Sequence, residues 1–229
     1  LKGNSKQYLA EARVLRAYAY YNLISTFGDV PFFTDPVTVD QYDEEKTAKE
    51  IILDFILSEM DLAVPELPWI ATERGRVDKA VAYGLKARTA LLGGSLNYSG
   101  KAKEYFQTAA AAAQAVFGHR TLAKNFDDLF NITGQKKSDV RNELLFELMY
   151  SDQGSRRFHM IGFGQVSRNY GQTGRHPAGL LADTYECIDG KRIDESPLYD
   201  PKNPSKNRDP RFSSTLWMHK DTVEGNTTG

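Results

Sequence analysis

A pair of carboxylates that cleaves a glycosidic bond must stand about 5 to 10 Å apart. The stretch "NELLFELMY" sets Leu144, Phe146, Leu148 and Tyr150 against Glu143, Leu145, Glu147 and Met149, an alternation that predicts a strand. Glu143 and Glu147 would share a face of it, but four residues of strand hold them about 13 Å apart. Asp127 and Asp128 are adjacent and are expected to cap a turn. His119, His159, His176 and His219 are scattered, none at H-x3-H spacing, so the pattern gives no zinc site. "DPKNPSKNRD", from Asp200 to Asp209, is rich in oxygen ligands but lacks the acid order of a calcium loop, and reads as solvated loop. There is no G-x-S-x-G nucleophile elbow. "GFGQVSRNYG", with Gly162, Gly164 and Gly171, lacks the strand before and the helix after that a phosphate-binding loop requires. Cys187, read as lying in a short apolar helix, is expected to be an inert buried thiol. The expectation is no catalytic residue, no metal and no cofactor.

What remains suits sugars. Trp69 stands between a proline pair and a charged loop, Arg168, Asn169 and Tyr170 form one tripeptide in an irregular region, and Trp217 lies near the far end. Aromatic faces stack on pyranose C–H surfaces, while Arg and Asn offer planar hydrogen-bonding forks to hydroxyls. These five residues are the candidate ligand contacts.

The elements that must position them are mostly helical. Ser5 to Phe27 reads as a helix with apolar residues almost all round, hence one buried on most sides. Arg13, Arg16 and Tyr20 share one stripe. A sequestered guanidinium needs a partner, so both arginines are expected to reach carboxylates of neighbouring helices, with Tyr20 over their stems. Gly28 suits a left-handed cap, and Pro31 stops continuation. Further helices are expected over Thr47 to Leu62 (core stripe Ile51, Ile52, Phe55, Ile56, Met60), Lys79 to Asn97 and Ala102 to Phe117. The last contains "AAAAAQAV", whose small side chains allow close approach. Ala80, Tyr83, Gly84 and Ala87, then Ala102, Phe106 and Ala109, fall at the spacing of a tetratricopeptide helix pair. After Gly118 the texture changes. Residues 151–175 show no sustained period. "HPAGLLADTYECIDG" predicts a short helix, and "NRDPRFSSTLWM" a turn leading into a strand.

Composition limits the rest. The chain has 229 residues, 41% hydrophobic and 26% charged, with a formal net charge of −1. That is enough for one large domain or two small ones, of which one is expected since no linker shows near residue 118, and no basic field favours nucleic acid. One cysteine allows no internal disulfide. No apolar run reaches 18 residues, so no spanning helix is expected. Both ends read as cut, since the first residues already lead into a helix and the last form no closing element.

Five blocks, in order, resemble the SusD/RagB family: "EARVLRAYAYYNLISTFGDVPFF", "GRVDKAVAYGLKARTALLGG", "NELLFELMY", "HPAGLLADTYECIDGKRI" and "NRDPRFSSTL". Together they cover nearly the whole chain. The resemblance implies a mainly α fold, with tetratricopeptide-like helix pairs packed against a less regular, loop-rich half with short strands. It implies a single domain over residues 1–229, with 1–118 as helical scaffold and 119–229 as the irregular, ligand-facing part. It also implies a non-enzymatic, glycan-binding lipoprotein on the outer membrane of Bacteroidetes-type bacteria. Such a protein captures oligosaccharide for a SusC-type TonB-dependent transporter and is held to the membrane only by a lipid anchor outside this fragment. The family's signal peptide, its lipidation cysteine and the part after the R-D-P-R-F block are not in this sequence. The candidate contacts belong to none of the five blocks and rest on their own chemistry. Two other readings are weighed beside this one: a tetratricopeptide-type protein–protein adaptor without sugar affinity, and a glycoside hydrolase, which would need a carboxylate pair within reach.

Overall fold

The computed structural model describes residues 5–38, 41, 43–131, 133–149, 177–216, 218, 222–223 and 226–227. Their contacts gather into two compact units, Leu1–Leu122 with Arg141–Leu148, and Ala123–Val140 with Met149–Gly229. The architecture is mostly helical: successive helix pairs build one unit, and short helices joined by turns build the looser other.

In the first unit, α1 (Ser5–Phe27) packs on α2 (Lys49–Ala63), α2 on α3 (Lys79–Ser95), and α3 on α4 (Ala102–Ala115). The pairs α1–α2 and α3–α4 are the most extensive, as stacked helical hairpins require. α1 ends on Gly28, whose φ of +73° is a left-handed cap; its N–H donates to Ile24 O at 3.1 Å. Asp29 then caps α2, accepting the Lys49 N–H at 3.0 Å. The turn after α1 therefore also starts the next helix.

α1 is not buried on most sides. Ala10, Val14, Ala17 and Ile24 are buried, while Leu9, Leu15 and Phe27 are 57%, 49% and 71% exposed. Neighbouring helices cover one stripe of it, and apolar composition alone does not say how many neighbours a helix has. Of the core stripe expected on α2, Ile52, Ile56 and Met60 are buried and Phe55 is half-buried; Ile51 is 60% exposed, and Leu53 and Ala63 join the core in its place.

The two arginines of α1 both find Glu59, a buried carboxylate on α2. Arg13 pairs with Oε1 and Arg16 Nη2 with Oε2 at 2.5 Å. Arg16 also donates to Thr34 O at 2.9 Å and lies over the Phe55 ring. Tyr20, on the same stripe, packs edge-on against Phe32. Its hydroxyl donates to Phe33 O at 2.9 Å and accepts the Phe33 N–H at 2.7 Å, fixing the chain beyond the turn.

Small residues set the approach of α3 and α4, but the decisive ones lie on α3. A Cβ on Gly94 would meet the Phe106 ring at 2.8 Å, and one on Gly93 would meet Tyr105 and Leu53 at 3.1 Å. Of the alanine run, Ala109 and Ala112 are buried. The Tyr105 hydroxyl reaches back to Asp54 of α2 at 2.8 Å.

The strand expected in "NELLFELMY" is not formed among the described residues. α5 (Ser138–Glu143) takes its first two residues, and 144–149 runs on without a ladder partner. Leu145 uses the space left by Gly84, where a Cβ would sit 2.8 Å from Leu145 Cδ1.

The second unit is held by turns. Asn125, not Asp127 or Asp128, caps the 3-10 turn Phe126–Leu129, its side chain accepting the Asp127 N–H at 3.1 Å. Asp128 instead takes Lys137 Nζ at 2.6 Å. Gly134 admits no side chain, since a Cβ there would lie 2.2 Å from Asp128 O. Cys187 is buried as expected, but it lies past the end of α6 (Gly179–Thr184), in a bridge with Arg208. Where a strand was expected after "NRDPRF", a helix forms: α7 (Pro210–Thr215), capped by Asp209, which accepts the Arg211 N–H at 2.8 Å. Asp followed by Pro is a helix start, and that local signal prevails over β-prone Phe and Thr. β1 (Thr222–Val223) and β2 (Asn226–Thr227) pair antiparallel. No helix among the described residues is long and apolar enough to cross a membrane.

Candidate ligand-binding surface around Trp69

Of the five candidate contacts, Trp69 lies within the described residues; Arg168, Asn169, Tyr170 and Trp217 lie outside them. Trp69 sits in the loop between α2 and α3, whose flanks Leu67 and Val77 are both buried. The loop is closed by the Lys79 N–H, which donates to Pro68 O at 2.8 Å. Ion pairs pin its outer part. Arg74 holds Glu147 through two bonds of 2.5 and 2.7 Å, and Arg76 holds Glu11 with bonds of 3.3 and 2.5 Å while lying over the Tyr8 ring. The Arg74 guanidinium bonds keep the Glu147 carboxyl below the ordinary glutamate range, against the opposing effect of burial. Glu147 is thus committed to charge pairing.

The end of the loop is fixed more firmly. Asp78 Oδ1 caps α3 by accepting the Val81 N–H at 3.1 Å, and its other oxygen pairs with Arg120 Nη2. With side chains 7% and 12% exposed, this is a sequestered ion pair. It ties the start of α3 to the segment following α4, where Gly118 turns the chain at φ +83°.

Three further side chains reach Trp69: Lys79 and Tyr83 from α3, and His119 from the segment held by that tie. The His119 ring lies 3.5 Å from the indole centroid at an interplanar angle of 10°, and Tyr83 lies 5.8 Å away at 22°. Lys79 Nζ stands 5.8 Å from the same centroid. By residue type and spacing Tyr83 is a packing position and His119 a scattered histidine, and nothing in the sequence connects either to Trp69. Their separations of 14 and 50 residues carry no local signal. The arrangement is a stack of flat rings beside a cation, suited to stacking and hydrogen bonding. Among the described residues no group of three His, Cys, Asp or Glu could hold a metal ion.

Two clefts open in the same unit. One of about 370 Å³ is lined by Val14, Leu15, Tyr18, Arg88, Leu145 and Phe146. The other, of about 500 Å³, is lined mainly by Ala87, Val116, Phe117, Leu122 and Leu145, with Arg120 and Glu143 as charged groups. Both use Leu145, and the first also Phe146, from the extended segment that the expected strand would have committed to a ladder.

No protein-family model matches the chain. In sequence it is 23% identical over 135 residues to a SusD-like protein of Formosa agariphila; this covers 58% of the chain and 24% of the relative. In structure it is similar to a SusD-like carbohydrate-binding protein of Bacteroides fragilis, with a TM-score of 0.78 and 25% identity over 97% of the chain and 42% of the solved one. A second SusD-like protein of the same species matches with a TM-score of 0.72 and 20% identity, over 93% of the chain and 43% of the solved one. The chain thus spans about a quarter of the curated relative's length and less than half of each solved relative.

Proposed function

We propose, from the premise that the chain is a SusD-like protein, that it belongs to a surface glycan-binding protein that captures oligosaccharide without cleaving it. The observation that carries this reading is the likeness over 97% of the chain, at a TM-score of 0.78, to a protein described as carbohydrate-binding. The same reading takes the captured sugar to a SusC-type TonB-dependent transporter, and places the protein on the outer membrane through a lipid anchor. Within one SusD-like domain, residues 1–118 serve as scaffold and 119–229 face the ligand, with Trp69, Arg168, Asn169, Tyr170 and Trp217 as contacts. The flat-ring cluster at Trp69 supports that assignment chemically, since pyranose rings stack on such surfaces.

Isothermal calorimetry against maltohexaose, laminarihexaose, xylohexaose and host-type glycans tests this. Binding to one class is expected, weakened by about 1 to 3 kcal/mol in Trp69→Ala or Tyr170→Ala, the scale of a lost stacking contact and its hydrogen bonds. Silence across the panel, with a transporter complex still assembled, would favour the adaptor reading that the helix pairs α1–α4 also allow.

A further inference from the structure

The Trp69 indole is not a bare platform. His119 lies 3.5 Å from its centroid and within 10° of parallel, so the imidazole covers one indole face at contact distance. Trp69 is half-buried, and His119 is exposed. Among the described residues no second ring or cation lies on His119, whereas Trp69 also has Tyr83 and Lys79 beside it. A flat ring with one face backed by indole and the remainder open to water is itself a stacking surface, and its edge nitrogens can donate to or accept from sugar hydroxyls.

The support beneath His119 is built from both sides. Arg120, the next residue, is locked to Asp78, which also caps α3. Gly118, the residue before, takes the left-handed turn that a side chain would strain. The His119 N–H donates to Val116 O at 3.1 Å, tying the turn to the end of α4. A ring held in register by a neighbouring ion pair and a backbone bond is pre-organised, which lowers the ordering cost of binding.

We infer that His119 is the sugar-facing surface at this site and that Trp69, offered above as a direct contact, contributes instead from beneath it as the backing ring. This rests on the glycan-binding reading and deepens it: the ligand stacks on the outer face of the imidazole, and its hydroxyls bond to the ring edge. Lys79 and the Asp78–Arg120 pair supply the charged surroundings.

The test is calorimetry on the full chain with the hexaose that binds the wild type, using His119→Ala, His119→Phe and Trp69→Phe, with thermal melting of each. The inference expects His119→Ala to weaken binding about tenfold while melting is little changed. His119→Phe, which keeps the flat face and loses the edge nitrogens, should recover part of that loss, and Trp69→Phe should cost less than His119→Ala. Unchanged affinity in His119→Ala would overturn the inference and leave glycan binding standing. Tighter binding in His119→Ala would also overturn it, by showing that the indole is the platform and the imidazole its cover. If no wild-type binding occurs to any hexaose, the underlying reading fails and the inference falls with it.

Discussion

The helical unit and the looser unit are held together by different kinds of contact. In the first, long helices carry periodic apolar stripes, and arginines meet carboxylates brought close by packing: Arg13 and Arg16 on Glu59, Arg76 on Glu11, Arg120 on Asp78. In the second, the hub is a single arginine bonded to main chain. Arg208, 6% exposed, donates to the carbonyls of Ala182, Tyr185 and Pro204 at 2.5 to 2.9 Å, and its guanidinium lies over Phe212 and Tyr199. Periodic burial can be read from residue types. Carbonyl capture cannot, because every residue has a carbonyl and only the folded path decides which ones converge.

The first unit is most sensitive at Asp78. Asp78→Ala removes a helix cap and leaves Arg120 sequestered without its partner, which should cost about 3 to 5 kcal/mol in chemical denaturation. Asp78→Asn keeps the capping oxygen and should cost clearly less. If the two variants were equally mild, the ion pair would not be what secures the first unit.

Next in size are the main-chain contacts of the second unit. Arg208→Lys cannot serve three carbonyls with a planar fork and should destabilise by about 2 to 3 kcal/mol, through acceptors left unpaired. Gly134→Ala should cost a similar 2 to 3 kcal/mol, because the atom in the way is backbone and cannot rotate aside. By contrast, Gly84→Ala meets only the tip of Leu145, so a loss below about 1 kcal/mol is expected once the better helix propensity of alanine is counted.

The smallest effects separate the units by pH. Asp209, capping α7, is held down to about 2, first by the Arg211 side chain and then by its backbone N–H. Its folded value lies below the unfolded one, so the stabilisation is complete above the ordinary aspartate value near 3.9 and is lost as pH falls through about 2. Burial, then the bond to Asp54, pushes the Tyr105 hydroxyl up. Its folded value lies above the unfolded one, so the helical unit loses stability as pH rises past the ordinary tyrosine value near 10. Thermal melting across pH should therefore show Asp209→Asn flattening the acid limb and Tyr105→Phe the alkaline limb.

Helices α1 to α4 were legible from their apolar spacing, and the end of α1 from Gly28 and Pro31; the charge of Arg13 and Arg16 required a partner that proved to be Glu59. The errors share a cause. Neighbour number misled at α1, where apolar residues exceed the faces available to bury them among the described residues. Alternation misled at 142–149, where a strand period served a chain that packs Leu145 beside Gly84 without a ladder. At the candidate site, Trp69 could be picked out by type, but His119 could not, since the imidazole arrives through the Asp78–Arg120 tie.

The central claim is capture without cleavage, and one equilibrium experiment addresses both halves. The full chain is titrated with reducing-end-labelled maltohexaose, laminarihexaose and xylohexaose, and the sugar is recovered after prolonged incubation for mass analysis. The account predicts saturable binding to one of these classes and recovery of that hexaose at full length. Shortened sugar would contradict the non-enzymatic half, and absence of binding to every class would contradict capture.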